Sequence, residues 1–231
     1  MSASIFTQLA GGIALAPHQH VAALYRGRAE AFRFVQFLAE GLERRDLCHY
    51  LAPRSFHEEM VTRLRALRAD LEVHIQNKTL RLHEGLQDYR ELCQSAEQVF
   101  LDAERERAPG VRWLEEGSWP KAAGFPMQEF FDFHAALNYQ VKHYPSVALC
   151  QYDLNETEPQ HVLSAIAVHR HLIVDQTLVR DNPFYIPAEK FIPLDPRARD
   201  RDLARVFREV GFDTEKLLAA LVGYGRLPAG S

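Results

Sequence analysis

Two pairs of histidines in this chain have the spacing of metal ligands. His18 and His20 are two residues apart, and so are His169 and His171. Residues two apart on a β-strand point to one face. Two such pairs on neighbouring strands would set four imidazoles around zinc, nickel or copper, or ligate a haem. Against this, His18 follows Pro17 in a segment that reads as loop. A second group is His83, Glu84, Glu115, Glu116 and Tyr152, all near the ends of strand-like runs. A carboxylate beside a histidine can do general acid–base work. No nucleophile elbow, HExxH helix or Ser/His/Asp spacing accompanies these residues, and helix capping or a binding pocket would use them equally well. A third group is aromatic: Tyr25, Tyr50, Trp113, Trp119 and Tyr152. Each alone reads as core. Tyr25, Glu116, Trp119 and Tyr152 together fall at carboxyl ends of strands, where open α/β sheets bind small molecules.

These groups need strands to hold them. His20–Tyr25, Leu47–Leu51, Thr79–His83, Val111–Leu114 and Val147–Tyr152 are short apolar runs bounded by turn residues. Helical periodicity fills the gaps at Ala29–Leu42, from Ser55 to about Ala69, at Asp88–Arg107 and at Met127–Lys142. Gly41 falls near a helix end, and Ser55 with Glu58 has the form of a capping box. Strands alternating with helices predict a three-layer α/β domain built on a mainly parallel sheet. Leu172–Val174 and Thr177–Val179 flank Asp175-Gln176 and predict a C-terminal hairpin of antiparallel edge strands. Beyond Pro196 come two short amphipathic helices. One spans Asp200–Val210 with Leu203, Val206, Phe207 and Val210. The next, capped by Asp213 or Thr214, carries Leu217, Leu218, Leu221 and Val222. Their order in water must come from packing, either on the parent core or on a second copy.

Composition removes several classes. The formal net charge of −4 argues against a nucleic-acid surface covering the domain. Arg197, Arg199, Arg201, Arg205 and Arg208 are interleaved with acids, as on a solvated helix. No run approaches the ~18 apolar residues of a membrane span. Met1–Ala16 lacks a basic leader and reads as a partly ordered arm, not a signal peptide. Cys48, Cys93 and Cys150 form no CxxC pair, and a reducing cytoplasm suits them.

The strand–helix order resembles the RecA-like and KaiC-like P-loop group. In such a protein a glycine-rich loop ending in lysine follows the first strand. Here Tyr25 is followed by Arg26-Gly27-Arg28-Ala29-Glu30, so ATP hydrolysis by that mechanism is not expected. From His20 to Phe191 the chain also resembles the MEDS domain, the methanogen/methylotroph, DcmR sensory domain. The likeness rests on HVAALY, on Glu116 to Trp119, on FHAALN (Phe133–Asn138), on ALCQYD (Ala148–Asp153), on His169 before the hairpin and on NPFYIP (Asn182–Pro187). His134 departs from the acid of that pattern, and Arg170 from its proline. The resemblance implies a KaiC-like fold that has lost nucleotide chemistry and serves sensing.

The expectation is therefore an arm over 1–19, a sensory α/β domain over 20–196 and a helical extension over 197–231. The ligand is a small molecule or a partner protein, held by His20, Tyr25, Arg26, His83, Glu116, Trp119, Tyr152 and His169. No cofactor, membrane or direct nucleic-acid contact is expected. Output passes to a separate regulator, with a homodimer through the C-terminal helices. The alternative is a small enzyme, or a metal or haem protein using His18, His20, His169 and His171.

Overall fold

A computed structural model describes residues 5–174, 176–209, 211 and 216. The chain opens with a small antiparallel hairpin, β1 (Thr7–Gln8) and β2 (Ala14–Leu15). Its Phe6, Leu9, Ile13 and Leu15 are buried, so the described part of the expected arm is a packed element. The main sheet has seven strands: β3 (Gln19–Tyr25), β4 (Leu47–Leu51), β5 (Leu80–His83), β6 (Val111–Glu116), β7 (Ser146–Asp153), β8 (His171–Val174) and β9 (Thr177–Val179). Their order across the sheet is β5-β4-β6-β7-β3-β8-β9. Every residue of β3 and β7 is buried. That is why these central strands read as continuous apolar runs and not as alternating ones.

The expected mainly parallel α/β sheet is present, with one change at its end. β8 runs parallel to β3, and only β9 is antiparallel. β6 is also longer than its apolar run, because Glu115 and Glu116 pair with Cys150 and Gln151 inside the ladder. Two adjacent acids in a sheet must point to opposite faces, and each therefore enters a different core.

One face is covered by the N-terminal hairpin, a 3₁₀ segment at Arg28–Phe34, α1 (Val35–Arg44), α2 (Arg54–Leu67) and α3 (Leu71–Gln76). The other is covered by α4 (Tyr89–Glu106), α5 (Trp119–Ala123), α6 (Met127–Gln140), α7 (Pro159–Val168), α8 (Ala188–Phe191) and α9 (Arg199–Glu209). One local reading is corrected. Ser55 makes no capping bond, because α2 starts at Arg54 behind Pro53 and Ser55 already lies inside the first turn. Gly41 lies near the end of α1, in its last turn. A Cβ there would come within 2.5 Å of Arg112 Cδ. The buried Arg112 uses that space to reach Asp46 Oδ2 (2.8 Å) and the Phe37 carbonyl (2.7 Å).

α9 packs against α7. Leu203 and Phe207 are fully buried, Phe207 lies edge-on to Phe184 at 5.0 Å, and Arg199 pairs with Asp132 at 2.9 Å. Its inward apolar face thus covers the chain's own core. Val210 and the second expected helix fall outside the described residues.

Candidate functional site

The connections leaving β3 and β7 diverge. From β3 the chain passes through α1 on one face to β4, beyond β7 and β6. From β7 it passes through α7 on the opposite face, across β3, to β8. Adjacent strands with divergent connections leave a crevice at their carboxyl ends. A cavity of about 610 Å³ lies there, lined among others by Tyr25, Phe56, Glu116, Met127, Asp153 and His161.

Two carboxyls define its floor. Tyr25 Oη donates to Glu116 Oε2 at 2.8 Å. Burial pushes the Glu116 carboxyl up to about 8, with the Tyr25 hydroxyl opposing the rise and Asp153 adding to it. Burial thus favours the protonated form of Glu116, in which the carboxyl can itself donate. Burial, and then Glu116, push the Tyr25 phenol upward. Asp153 accepts the Gly27 amide through both oxygens, at 3.0 and 3.1 Å, and the Asn155 amide at 2.9 Å. Gly27 reaches that geometry with a φ of 79°, a conformation that favours glycine. The turn after the first long strand therefore gives its amide to the chain's own carboxylate. Arg28 lies across the mouth, 4.1 Å over the Phe56 ring and 2.6 Å from the Ser55 carbonyl.

The remaining expected ligand residues do not line this cavity. Arg26 turns to Asn155 Oδ1 (3.4 Å). Trp119 is fully buried beneath it, its indole donating to Glu115 Oε1 at 2.6 Å, while Trp113 donates to Glu115 Oε2 at 2.7 Å. Tyr152 is buried on the α6 side, and Gly117 passes so close that a Cβ there would sit 2.7 Å from its ring. His83 is remote. It stacks on His49 (4.6 Å) and borders an open groove of about 880 Å³ between β5 and α4. That groove is larger, but it runs along a sheet edge among exposed charges such as Arg105 and Glu106.

His20 and His169 meet instead on the α6 face, 4.1 Å apart between ring centres, with His134 and Cys150 beside them. All four side chains are buried. Burial, then neighbouring imidazoles, hold His20 and His169 well below the usual histidine range. The expected four-histidine set is corrected. His18 lies in a turn at φ 67° and bonds the Val141 carbonyl (2.9 Å). His169 terminates α7, so only His171 belongs to the strand; it pairs with Val21, whose side chain enters the α1-side core. The rule that residues two apart share a face fails because the strand begins between them.

His134 and Cys150 were absent from the sequence-based site. His134 occupies the acid position of FHAALN with Asn138 one turn later, and that departure was the one signal in the sequence. Cys150 was hidden inside an apolar run.

A profile of the family described as "MEthanogen/methylotroph, DcmR Sensory domain" matches residues 19–170, well over half the chain. The chain is also 26% identical over 165 residues to the "Transcriptional repressor DcmR" of Methylorubrum extorquens (strain DSM 6343 / CIP 106787 / DM4). That match takes in 71% of this chain and 62% of the relative, so the chain spans less than two thirds of that repressor's length.

Proposed function

Since the chain belongs to the MEDS family of sensory domains, we propose that the cavity at the ends of β3, β6 and β7 binds a small molecule and that its occupancy is passed to a regulator. One observation carries this reading: the cavity sits at the sheet's switch point, and its lining joins the hydrogen-bonded Glu116–Tyr25 pair to the apolar side chains of Phe56 and Met127. Such a site suits an uncharged molecule with one hydrogen-bonding end and an apolar body. Binding is non-catalytic in this reading, and no cofactor takes part.

α7 offers the route out. Glu158 and His161, at the start of α7, line the cavity, and α9 packs on the same helix. A shift of α7 on binding would reach the segment after Pro196. The name of the related repressor supports transcriptional control as the output. We place the contact for the regulator, or for a second copy of this chain, on residues 197–231. With Leu203 and Phe207 already buried, that contact falls on the outer side of α9 and on the residues beyond it. No described helix is long and apolar enough to cross a membrane.

A thermal-shift screen of small neutral hydrogen-bonding molecules tests the proposal. A molecule that stabilises the wild type should lose about tenfold or more in affinity to Glu116→Gln or Phe56→Ala, the scale of one buried hydrogen bond or packed ring. Unchanged binding by both variants would move the site elsewhere.

A further inference from the structure

The buried group on the α6 face has an unusual balance of donors and acceptors. Asn138 spends its amide on the carbonyls of His134 (3.1 Å), Ala135 (3.2 Å) and Val168 (2.8 Å). Its Nδ2 therefore faces those carbonyls, and its Oδ1 must accept from His20 Nδ1 at 3.2 Å. His20 is then protonated on Nδ1, and its Nε2 presents a lone pair. His169 Nδ1 donates to the Ala165 carbonyl at 2.7 Å, which leaves Nε2 as a lone pair with no partner among the described residues. His134 turns Nε2 toward Glu115 Oε1, 3.6 Å away, and Nδ1 toward the others. The lone pairs of His20 and His169 thus converge beside His134 Nδ1 and Cys150, whose thiol has one proton to share. Dry lone pairs facing one another are costly, and a cation among them removes the cost.

The spacing fits an ion. Metal–nitrogen distances of about 2.0–2.1 Å and a metal–sulfur distance of about 2.3 Å, set tetrahedrally, place nitrogens about 3.3 Å apart and nitrogen and sulfur about 3.6 Å apart. His134 Nδ1 lies 3.4 Å from His20 Nε2. Cys150 Sγ lies 3.5 Å from His20 Nε2 and 3.7 Å from His134 Nδ1. The donor atoms of all four residues lie within 4.8 Å of one another. The outer bonds to Asn138 and Ala165 are those that orient metal-binding imidazoles. His20 also lines a cavity of about 250 Å³ with His18 and Asn138.

We propose that His20, His134, Cys150 and His169 form a closed tetrahedral site for one transition-metal ion, zinc by its geometry and donor set. Binding releases the Cys150 thiol proton to solvent and leaves a thiolate on the ion. A site with four protein ligands has no open position for a reacting water, which suits a structural or sensory ion. The ion ties β3, β7, α6 and the end of α7 together on the sheet face opposite α1, and this inference does not depend on the proposed cavity.

The test uses the full chain without a histidine tag, stripped by chelator and titrated with Co²⁺. One Co²⁺ per chain is expected, with a thiolate-to-cobalt charge-transfer band and intense tetrahedral d–d bands, both abolished by equimolar Zn²⁺. Cys150→Ser, close in volume, should lose the charge-transfer band, while Cys48→Ser and Cys93→Ser keep it. His134→Ala should weaken binding by about tenfold or more. Zn²⁺ should raise the melting temperature of the wild type and not that of Cys150→Ser, whose metal-free melt reports its fold. Failure of the stripped wild type to take up stoichiometric metal, or a charge-transfer band that survives in Cys150→Ser, overturns the proposal.

Discussion

At the scale of single residues, the Glu116–Tyr25 pair joins the candidate site to stability. Folding raises the Glu116 carboxyl from 4.5 to about 8. Between those values the folded protein keeps a proton that the unfolded chain has lost. The contribution is fully present below pH 4.5 and is lost as pH rises through 8, each pH unit between the two values being worth about 1.4 kcal/mol. Glu116→Gln keeps an acceptor for the Tyr25 hydroxyl and removes the titration. Denaturant melts at about pH 5 and about pH 8.5 should show a wild type that loses roughly a few kcal/mol relative to the variant. Equal slopes in the two proteins would assign the proton elsewhere. Tyr25, Glu116 and Asp153 were legible as strand-end residues. The bond from the Gly27 amide to Asp153 was not, because the two residues lie 126 positions apart in the chain.

At the scale of elements, the β6–α5 turn shows how a glycine can be set by packing. No positive φ is required at Gly117; what forbids a side chain is the Tyr152 ring, 2.7 Å from where a Cβ would be. Gly117→Ala should force Tyr152 against Phe131 and His169, with a loss of about 1–3 kcal/mol. A melt unchanged from wild type would mean that the ring moves freely. The long helices and central strands were legible because each carries a complete period of apolar residues. α3 and α5 were not, at 6 and 5 residues, since so short a helix shows less than two turns of pattern.

At the scale of the whole molecule, the question is whether α9 is cover or contact. Phe207 is fully buried against Phe184, so Phe207→Ala should cost about 3–5 kcal/mol of stability with sedimentation unchanged. A variant that kept its stability and altered its oligomeric state would make α9 an interface instead. Amphipathic pattern alone left this open, because a helix shows that it has an apolar face and not which surface receives it.

The sequence by itself determined the central strands and long helices, the mainly parallel sheet and the loss of the phosphate-binding loop, for each is written in contiguous residues by period and turn chemistry. It also placed Tyr25 and Glu116 at strand ends. Tertiary structure alone decided which of the candidate residues meet. His20, His134, Cys150 and His169 come from β3, α6, β7 and the end of α7, and no spacing rule joins them. Their grouping follows from strand register, which aligns Ala22 with Cys150 and His20 with Ala148, and from the helices laid across that face. Strand order and register are set by long-range pairing and burial, information spread over the whole chain and present in no local motif.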